Sequence, residues 1–427
     1  MTEMSSPRET QVEEKEEQDI SPSDTSIDVS PASPVMRREL GLLGAVSLIV
    51  GGIIGSGIFV SPAGVLEATG SVGLSLVVWV GAGLIALMGS LCYSELGTLI
   101  PKSGGDYSYV REAFGDLVAF LWVWVSIMLI RPSSLAVMSL TFGTYFAAVF
   151  DLCGRPELFA RLAAVACLVT VMLLNCYSTK WTNWATVIST TFKVAALLVI
   201  VAGGILKLAQ GNTSVLATGF QGSTTDPTTI SLALYDALWA YDGWVNLNTV
   251  AEELQNPSKN LPRANIGGVV LVILVYVATN VAYFTAMTST EMLEADAVAV
   301  VCLAIVFVFL GNISSLVDFF SFTAWFFYGM SFAALLVFRY TKRHTHRPYK
   351  CPIIFPILML VISVYLVIAP IVKDPAIGFL YAAIFSLAGA LLYFPFVKYK
   401  LKLPFTDQLT TFTQLVLEVV PASKFID

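Results

Sequence analysis

Eleven long apolar blocks constrain this chain more than any other feature of its sequence. They run approximately over residues 40–66, 72–99, 116–150, 159–178, 184–209, 229–254, 264–287, 297–311, 316–338, 353–372 and 376–397. A helix needs about 20 apolar residues to cross ~30 Å of hydrocarbon, and ten of the blocks meet that length. The block Ala297–Gly311 does not: at ~1.5 Å rise per residue it reaches only ~22 Å. Backbone groups in lipid must be satisfied internally, so spans are helices or closed barrels, and the blocks lack the alternation of barrel strands. Only 13% of the residues are charged, against roughly 25% in soluble proteins, and the mean hydropathy is +0.77. The expected class is an all-α polytopic membrane protein with about ten spans, the segment 297–311 being short and non-spanning or re-entrant.

The net charge of −6 says little about partners, because much of the acid sits in the Ser/Pro/Glu-rich residues 1–37. That stretch buries too little to offset its ordering entropy and reads as a disordered acidic cytoplasmic tail. It has neither the basic start nor the apolar core of a signal peptide, so the first apolar helix, behind Arg37 and Arg38, is expected to target the chain. The transmembrane domain then covers 38–397 and a cytoplasmic tail 398–427. With the N-terminus inside, the inner loops hold Arg37, Arg38, Lys102, Arg111, Lys180, Lys259 and Arg263, the outer ones Arg155, Arg161 and Lys207, as the positive-inside rule prefers. The basic run Arg339–Lys350 also falls inside if 297–311 does not cross, and so does the C-terminus. Asn212-Thr-Ser is then an extracellular glycosylation candidate; Asn312-Ile-Ser lies too near the membrane.

Polar and glycine-rich interruptions of the blocks are the candidate functional features. The first reads Gly51-Gly-Ile-Ile-Gly-Ser-Gly-Ile-Phe59. Glycine costs ~1 kcal/mol in a helix relative to alanine, so the cluster points either to a mid-membrane break, whose amide groups could hold a carboxylate, or to a GxxxG packing face through Gly51 and Gly55. The sixth long block carries Asp242 beside Gly243 in Ala240-Tyr-Asp-Gly-Trp244. A mid-membrane carboxylate marks a site or a paired network, and Gly243 marks a place to unwind and free carbonyls for an ammonium group. Asp236 is the competing acid, nearer the outer end. Lys193, about ten residues into the fifth block, needs acceptors, and is either a cation in the transport path or a satisfied structural lysine. Arg131-Pro132 interrupts the third block, since proline removes a helix hydrogen bond. The six cysteines show no CxxC spacing, and the two histidines, His344 and His346, share one basic loop. No metal set, nucleophile–base pair or cofactor motif is present, so an enzyme is not expected, nor a nucleic-acid partner.

These segments resemble the light-chain subunits of heteromeric amino acid transporters, in the amino acid–polyamine–organocation superfamily. The matching stretches are Gly51–Gly64, Tyr93–Tyr107, Ala240–Trp244 with Glu252-Glu-Leu-Gln-Asn-Pro257, Asn260-Leu-Pro262, Arg339–Pro352 and Glu418-Val-Val-Pro421, and the wording is most similar to the b-zero-plus type. The resemblance implies a five-plus-five inverted-repeat transporter fold with helices 1 and 6 broken around the substrate. It implies backbone binding of the substrate carboxylate and ammonium by Ile54, Gly55, Ser56, Gly57 and Ile58. Trp239 would be an aromatic gate, Ala240 and Gly243 would belong to the sixth-helix break, and Asp242 would face a basic side chain. Lys193 would stand in for the sodium ion of sodium-coupled relatives, and Cys153 would form a disulfide with a single-span type II glycoprotein heavy chain.

Two departures from that pattern stand out. Val245 follows Trp244 where relatives have asparagine. The chain also passes from Glu294–Val300 almost directly into Phe307–Leu316, so the eighth helix and part of the ninth are absent and the second repeat is incomplete. The expectation is a sodium-independent exchanger of neutral and cationic L-amino acids or cystine at the plasma membrane. The alternative is a transport-inactive truncated form that binds the heavy chain and modulates the full-length transporter.

Overall fold

The structure, a computed structural model, describes residues 40–100, 104–148, 156–177, 179–286, 313–373 and 377–399. The N-terminal tail, Cys153, the block 297–311, Asn312 and the tail beyond residue 399 lie outside these residues.

The described chain is helical. The first block is a bent pair, α1 (Leu42–Ile53) and α2 (Gly57–Thr69), meeting at 49°. Helix α3 (Val72–Leu99) follows. The third block is α5 (Asp116–Val125), a π-helical turn (Ser126–Ile130) and α6 (Arg131–Ala148), preceded by the short α4 (Asp106–Phe114). Next come α7 (Pro156–Tyr177), α8 (Thr179–Ala209), the single turn α9 (Ser214–Ala217), α10 (Pro227–Ala240), the turn α11 (Asn246–Thr249) and α12 (Pro257–Ala286). After the gap at 287–312 the helices are α13 (Ile313–Thr341), α14 (Ile354–Lys373) and α15 (Ile377–Leu392), the last closing in a π-turn (Tyr393–Lys398).

Among the described residues, seven helices are long and apolar enough to cross a membrane, eight with the bent pair counted as one. Of the remaining expected spans, α10 is short because it unwinds at Tyr241, and α15 with its π-turn runs over Ile377–Lys398. The Arg131-Pro132 interruption does not break its span, since Asp116–Ala147 forms one apolar stretch of 32 residues. Instead, the backbone widens into the π-turn, and Arg131 N–H reaches the Ser126 carbonyl. Such a bulge makes room for the proline ring without unwinding the helix.

Polar contacts define two ends of the bundle. At one end Leu40 N–H donates to the Glu253 carbonyl at 3.0 Å, and Gln255 N–H returns to Leu40 at 2.9 Å. At the same end the basic loop after α13 folds onto Glu95, a fully buried carboxylate near the end of α3. Arg339 binds it through Nε (3.1 Å) and Nη2, Arg347 through Nη1 (2.8 Å), and Cys351 N–H donates at 2.9 Å. Lys342 pairs with Glu112 of α4. At the opposite end Gly73 N–H donates to Gly219 at 2.7 Å and Thr224 N–H to Thr69 at 3.0 Å, beside a cluster of Leu66, Val72 and Phe284. Here Asp226 caps α10, accepting from the amides of Thr228 (3.1 Å) and Thr229 (3.2 Å). With the Thr228 and Thr229 hydroxyls, these bonds hold its carboxyl down at about 2. Helix α12 therefore finishes at the Val72 end. Helix α13 finishes at the Glu95 end and so begins at the Val72 end.

Candidate functional site

Glycine decides the shape of the site. At Ile54 the backbone leaves the helix (ψ 92°), three residues, Ile54, Gly55 and Ser56, are unwound, and α2 restarts at Gly57. The first N–H groups of a helix have no intrahelical acceptor, so this restart offers donors in mid-bundle. The Ser56 hydroxyl is buried without a partner. Of the two readings open for this cluster, the break is the one observed. Gly51 does pack, lying against Thr190 of α8, whereas a Cβ at Gly55 would meet only the Ile53 carbonyl within 4 Å.

The sixth long block breaks as well. Helix α10 ends at Ala240, residues 241–245 form turns, and α11 follows. Gly243 has φ 110°, a conformation that side-chain-bearing residues avoid, and a Cβ there would sit 2.7 Å from the Gly52 carbonyl. At Gly57 a Cβ would lie 2.8 Å from Ala240 Cβ and 3.2 Å from Ala240 N. The two unwound segments thus touch through backbone. Tyr276 of α12, fully buried, ties them together: its hydroxyl lies 3.0 Å from both the Ile53 and the Ala240 carbonyls.

The expected substrate residues are distributed around these breaks. Ile54, Gly57, Ile58 and Ala240 are buried at the contact, with Gly55 and Ser56 half-buried in the unwound turn and Gly243 closing it. Asp242 does not pair with a basic residue. It accepts a hydrogen bond from Tyr328 of α13 at 3.0 Å and lines a cavity of about 90 Å³. That cavity is walled by Tyr93, Gly104–Asp106, Ser126, Arg131, Val245, Asn246, Asn248 and Tyr328, among others, and not by Ile54–Ile58. Val245, the departure from the family pattern, is one of the lining residues of this cavity. Trp239 packs edge-to-face on Phe320, ring centroids 4.6 Å apart, in a cluster with α6 and α7.

Lys193 is half-buried, one helical turn beyond Thr190, and among the described residues it forms no ion pair. Only 11% of the apolar window of α8 that contains it is buried, against 44% for α3. Asn212 is exposed at the Val72 end.

Sequence reasoning did not single out Tyr276, Tyr328, Asn248 or Asp106. The available signal was polar groups inside apolar blocks, which must find partners once water is gone. Glu95, Asp106 and Arg339 lie in stretches already singled out for resemblance, without a role attached.

A bundle of membrane-length helices, two of them broken at mid-bundle and joined backbone to backbone, defines a multi-pass membrane protein of transporter architecture. Residues 40–298 match the family model for amino acid permeases. The chain is 37% identical to the b(0,+)-type amino acid transporter 1 of Rattus norvegicus, over 99% of each chain. It is 34% identical to the cystine/glutamate transporter of Homo sapiens, over 90% of this chain and 91% of that one. Identity to the large neutral amino acids transporter small subunit 2 of Mus musculus is 35%, over 87% and 84%. The chain belongs to the amino acid permease family, whose members are transporters and not enzymes. The alignment to the rat relative runs over 492 positions, more than the 427 residues of this chain, so the relative carries residues without a counterpart here.

Proposed function

We propose that this protein is the light chain of a sodium-independent exchanger that moves neutral and cationic L-amino acids or cystine across the plasma membrane by alternating access. The observation that carries this reading is the pair of facing breaks, α1–α2 and α10–α11, tied by Tyr276. Backbone donors at Gly55–Ile58 suit a substrate carboxylate, and the carbonyls freed around Ala240 and Gly243 suit its ammonium group. Asp242, on the wall of the cavity, faces a basic side chain, and Trp239 acts as the gate above it. Lys193 takes the position a sodium ion holds in coupled relatives.

The ten-span topology with both termini cytoplasmic draws support from the two helices that flank residues 287–312. Helix α12 finishes and α13 begins at the same end of the bundle, which supports the reading that 297–311 does not cross. The inverted repeat, with its second half incomplete, belongs to the same reading. Cys153 is the link to a heavy-chain glycoprotein, as an outward-facing cysteine in an oxidising compartment can be, and Asn212 carries a glycan.

The second reading is a transport-inactive form that binds the heavy chain and modulates a full-length partner. It is favoured by Lys193, which lacks an ion-pair partner among the described residues, and by an alignment that outruns the chain. Uptake of labelled arginine and leucine into proteoliposomes, with and without heavy chain, separates the two. Exchange of either supports transport, whereas folded, heavy-chain-linked protein with no uptake leaves only the modulator.

A further inference from the structure

The cavity beside Asp242 holds more negative charge than the proposed substrate site uses. Its wall carries a second carboxylate, Asp106 at the start of α4, and one cation, Arg131. Among the described residues Arg131 forms no ion pair, so the wall sets two carboxyl groups against one guanidinium. Asp106 is only 8% exposed. The hydrogen bonds it accepts among the described residues, from the Tyr93 hydroxyl and from Ser331 Oγ at 2.7 Å, both go to Oδ1.

Asn248 is fully buried in the same wall. Its amide nitrogen donates to the Tyr93 carbonyl at 2.6 Å and to Tyr109 at 3.0 Å. Donation to a backbone carbonyl fixes which end is nitrogen, so the group without a partner is the acceptor Oδ1. A buried acceptor without a partner costs free energy, and Asn248 lines the same cavity as Asp106 and Asp242. The rings of Tyr93 and Tyr328, edge-to-face at 6.4 Å, complete the wall and also suit a cation.

We propose that this cavity is a second subsite for the guanidinium or ammonium group of a basic amino acid, held by Asp106 and Asn248 on the α4 side of Asp242. Two carboxyl groups and the unpartnered Asn248 Oδ1 in one wall match a donor-only ligand. The subsite lies between the break and the end of the bundle that carries the basic loop, since Tyr93 is two residues from Glu95. It is therefore on the route from the break to that end. The assignment rests on the amino acid transport reading and adds to it where a cationic substrate pauses.

Asp106→Asn tests it, because Asn keeps an acceptor oxygen for Tyr93 and Ser331 while it removes the charge and puts an NH₂ donor in place of Oδ2. In proteoliposomes, the KM for arginine measured from the α4 face should rise about tenfold relative to that for leucine, as loss of a charged hydrogen bond predicts. Asp106→Glu should recover part of that ratio. An unchanged ratio with leucine exchange intact overturns the subsite. If the wild-type protein exchanges neither amino acid, the transport reading fails and the subsite is judged by chemical protection instead. Arginine or agmatine, but not leucine, should slow carbodiimide labelling of Asp106 in the purified chain, and equal labelling with and without them overturns the proposal.

Discussion

Replacing Glu95 by glutamine should cost this protein more stability than neutralising Glu112, the other acid in the three ion pairs described. The carboxylate is fully buried and receives four hydrogen bonds: two from Arg339, one from Arg347 and one from Cys351 N–H. Arg339 and Arg347 are themselves only 10% and 8% exposed at the side chain. Glutamine keeps one acceptor oxygen but turns its NH₂ toward donors, and it leaves two buried guanidinium groups without a counter-charge. Breaking a buried pair by removing one partner costs about 3–5 kcal/mol. With an unfolding entropy of ~2.1 cal/mol/K per residue, that becomes a fall of roughly 3–6 °C in melting temperature for a chain of 427 residues. The assay is a thermal ramp of detergent-solubilised protein read by fluorescence-detected size exclusion. Glu112→Gln is the control: its pair with Lys342 is one-third exposed on both sides, so the expected cost is below about 1 kcal/mol. Equal melting temperatures for Glu95→Gln and the wild type, or a larger loss for Glu112→Gln, would refute the reasoning.

Gly243→Ala forces a side chain into φ 110° and against the Gly52 carbonyl; strain of about 1–3 kcal/mol is expected, with amino acid exchange lost before surface expression. Tyr276→Phe removes one hydroxyl from between the Ile53 and Ala240 carbonyls. It should cost about 0.5–1.5 kcal/mol, and cysteine cross-linking across the two breaks should report a wider gap. Burial pushes the Asp106 carboxyl up to about 6, against the lowering effect of its Tyr93 and Ser331 hydrogen bonds. The group is therefore charged above that pH and neutral below it. Its raised value in the folded state means that folding favours the protonated form, so its contribution to stability falls as pH rises from about 4 to about 6. Arginine preference over leucine should fall as pH drops through about 6, and Asp106→Asn should remove that step although Arg131, Asp242, Tyr93 and Tyr328 still face the position. Cys153→Ser should abolish a reducible heteromer with the heavy chain on a non-reducing gel.

The membrane class was legible because it depends on block length and composition alone, and the glycine clusters at Gly51–Gly57 and at Gly243 marked where helices would break. Asp242 was legible for the same reason, since a carboxylate amid apolar residues has a cost that sequence displays directly. Partners were not. Nothing local to Tyr276 says that its hydroxyl ends between two carbonyls from residues 53 and 240, and nothing local to Asp106 says that it shares a wall with Asp242. Proline at 132 suggested a break by its missing N–H, yet the π-turn before it absorbed the ring, an adjustment that depends on the whole span.

Sequence by itself determined that this chain is a helical membrane protein and marked two glycine-bearing places where a helix could unwind, because propensity and hydrophobic length act within one segment. Tertiary structure alone decided that those two places meet, that Glu95 holds the basic loop, and that Asp106, Asn248 and Asp242 line one cavity. Those outcomes depend on which buried polar groups find each other across segments, and inside a bundle without water each must be satisfied by whichever helix packs beside it.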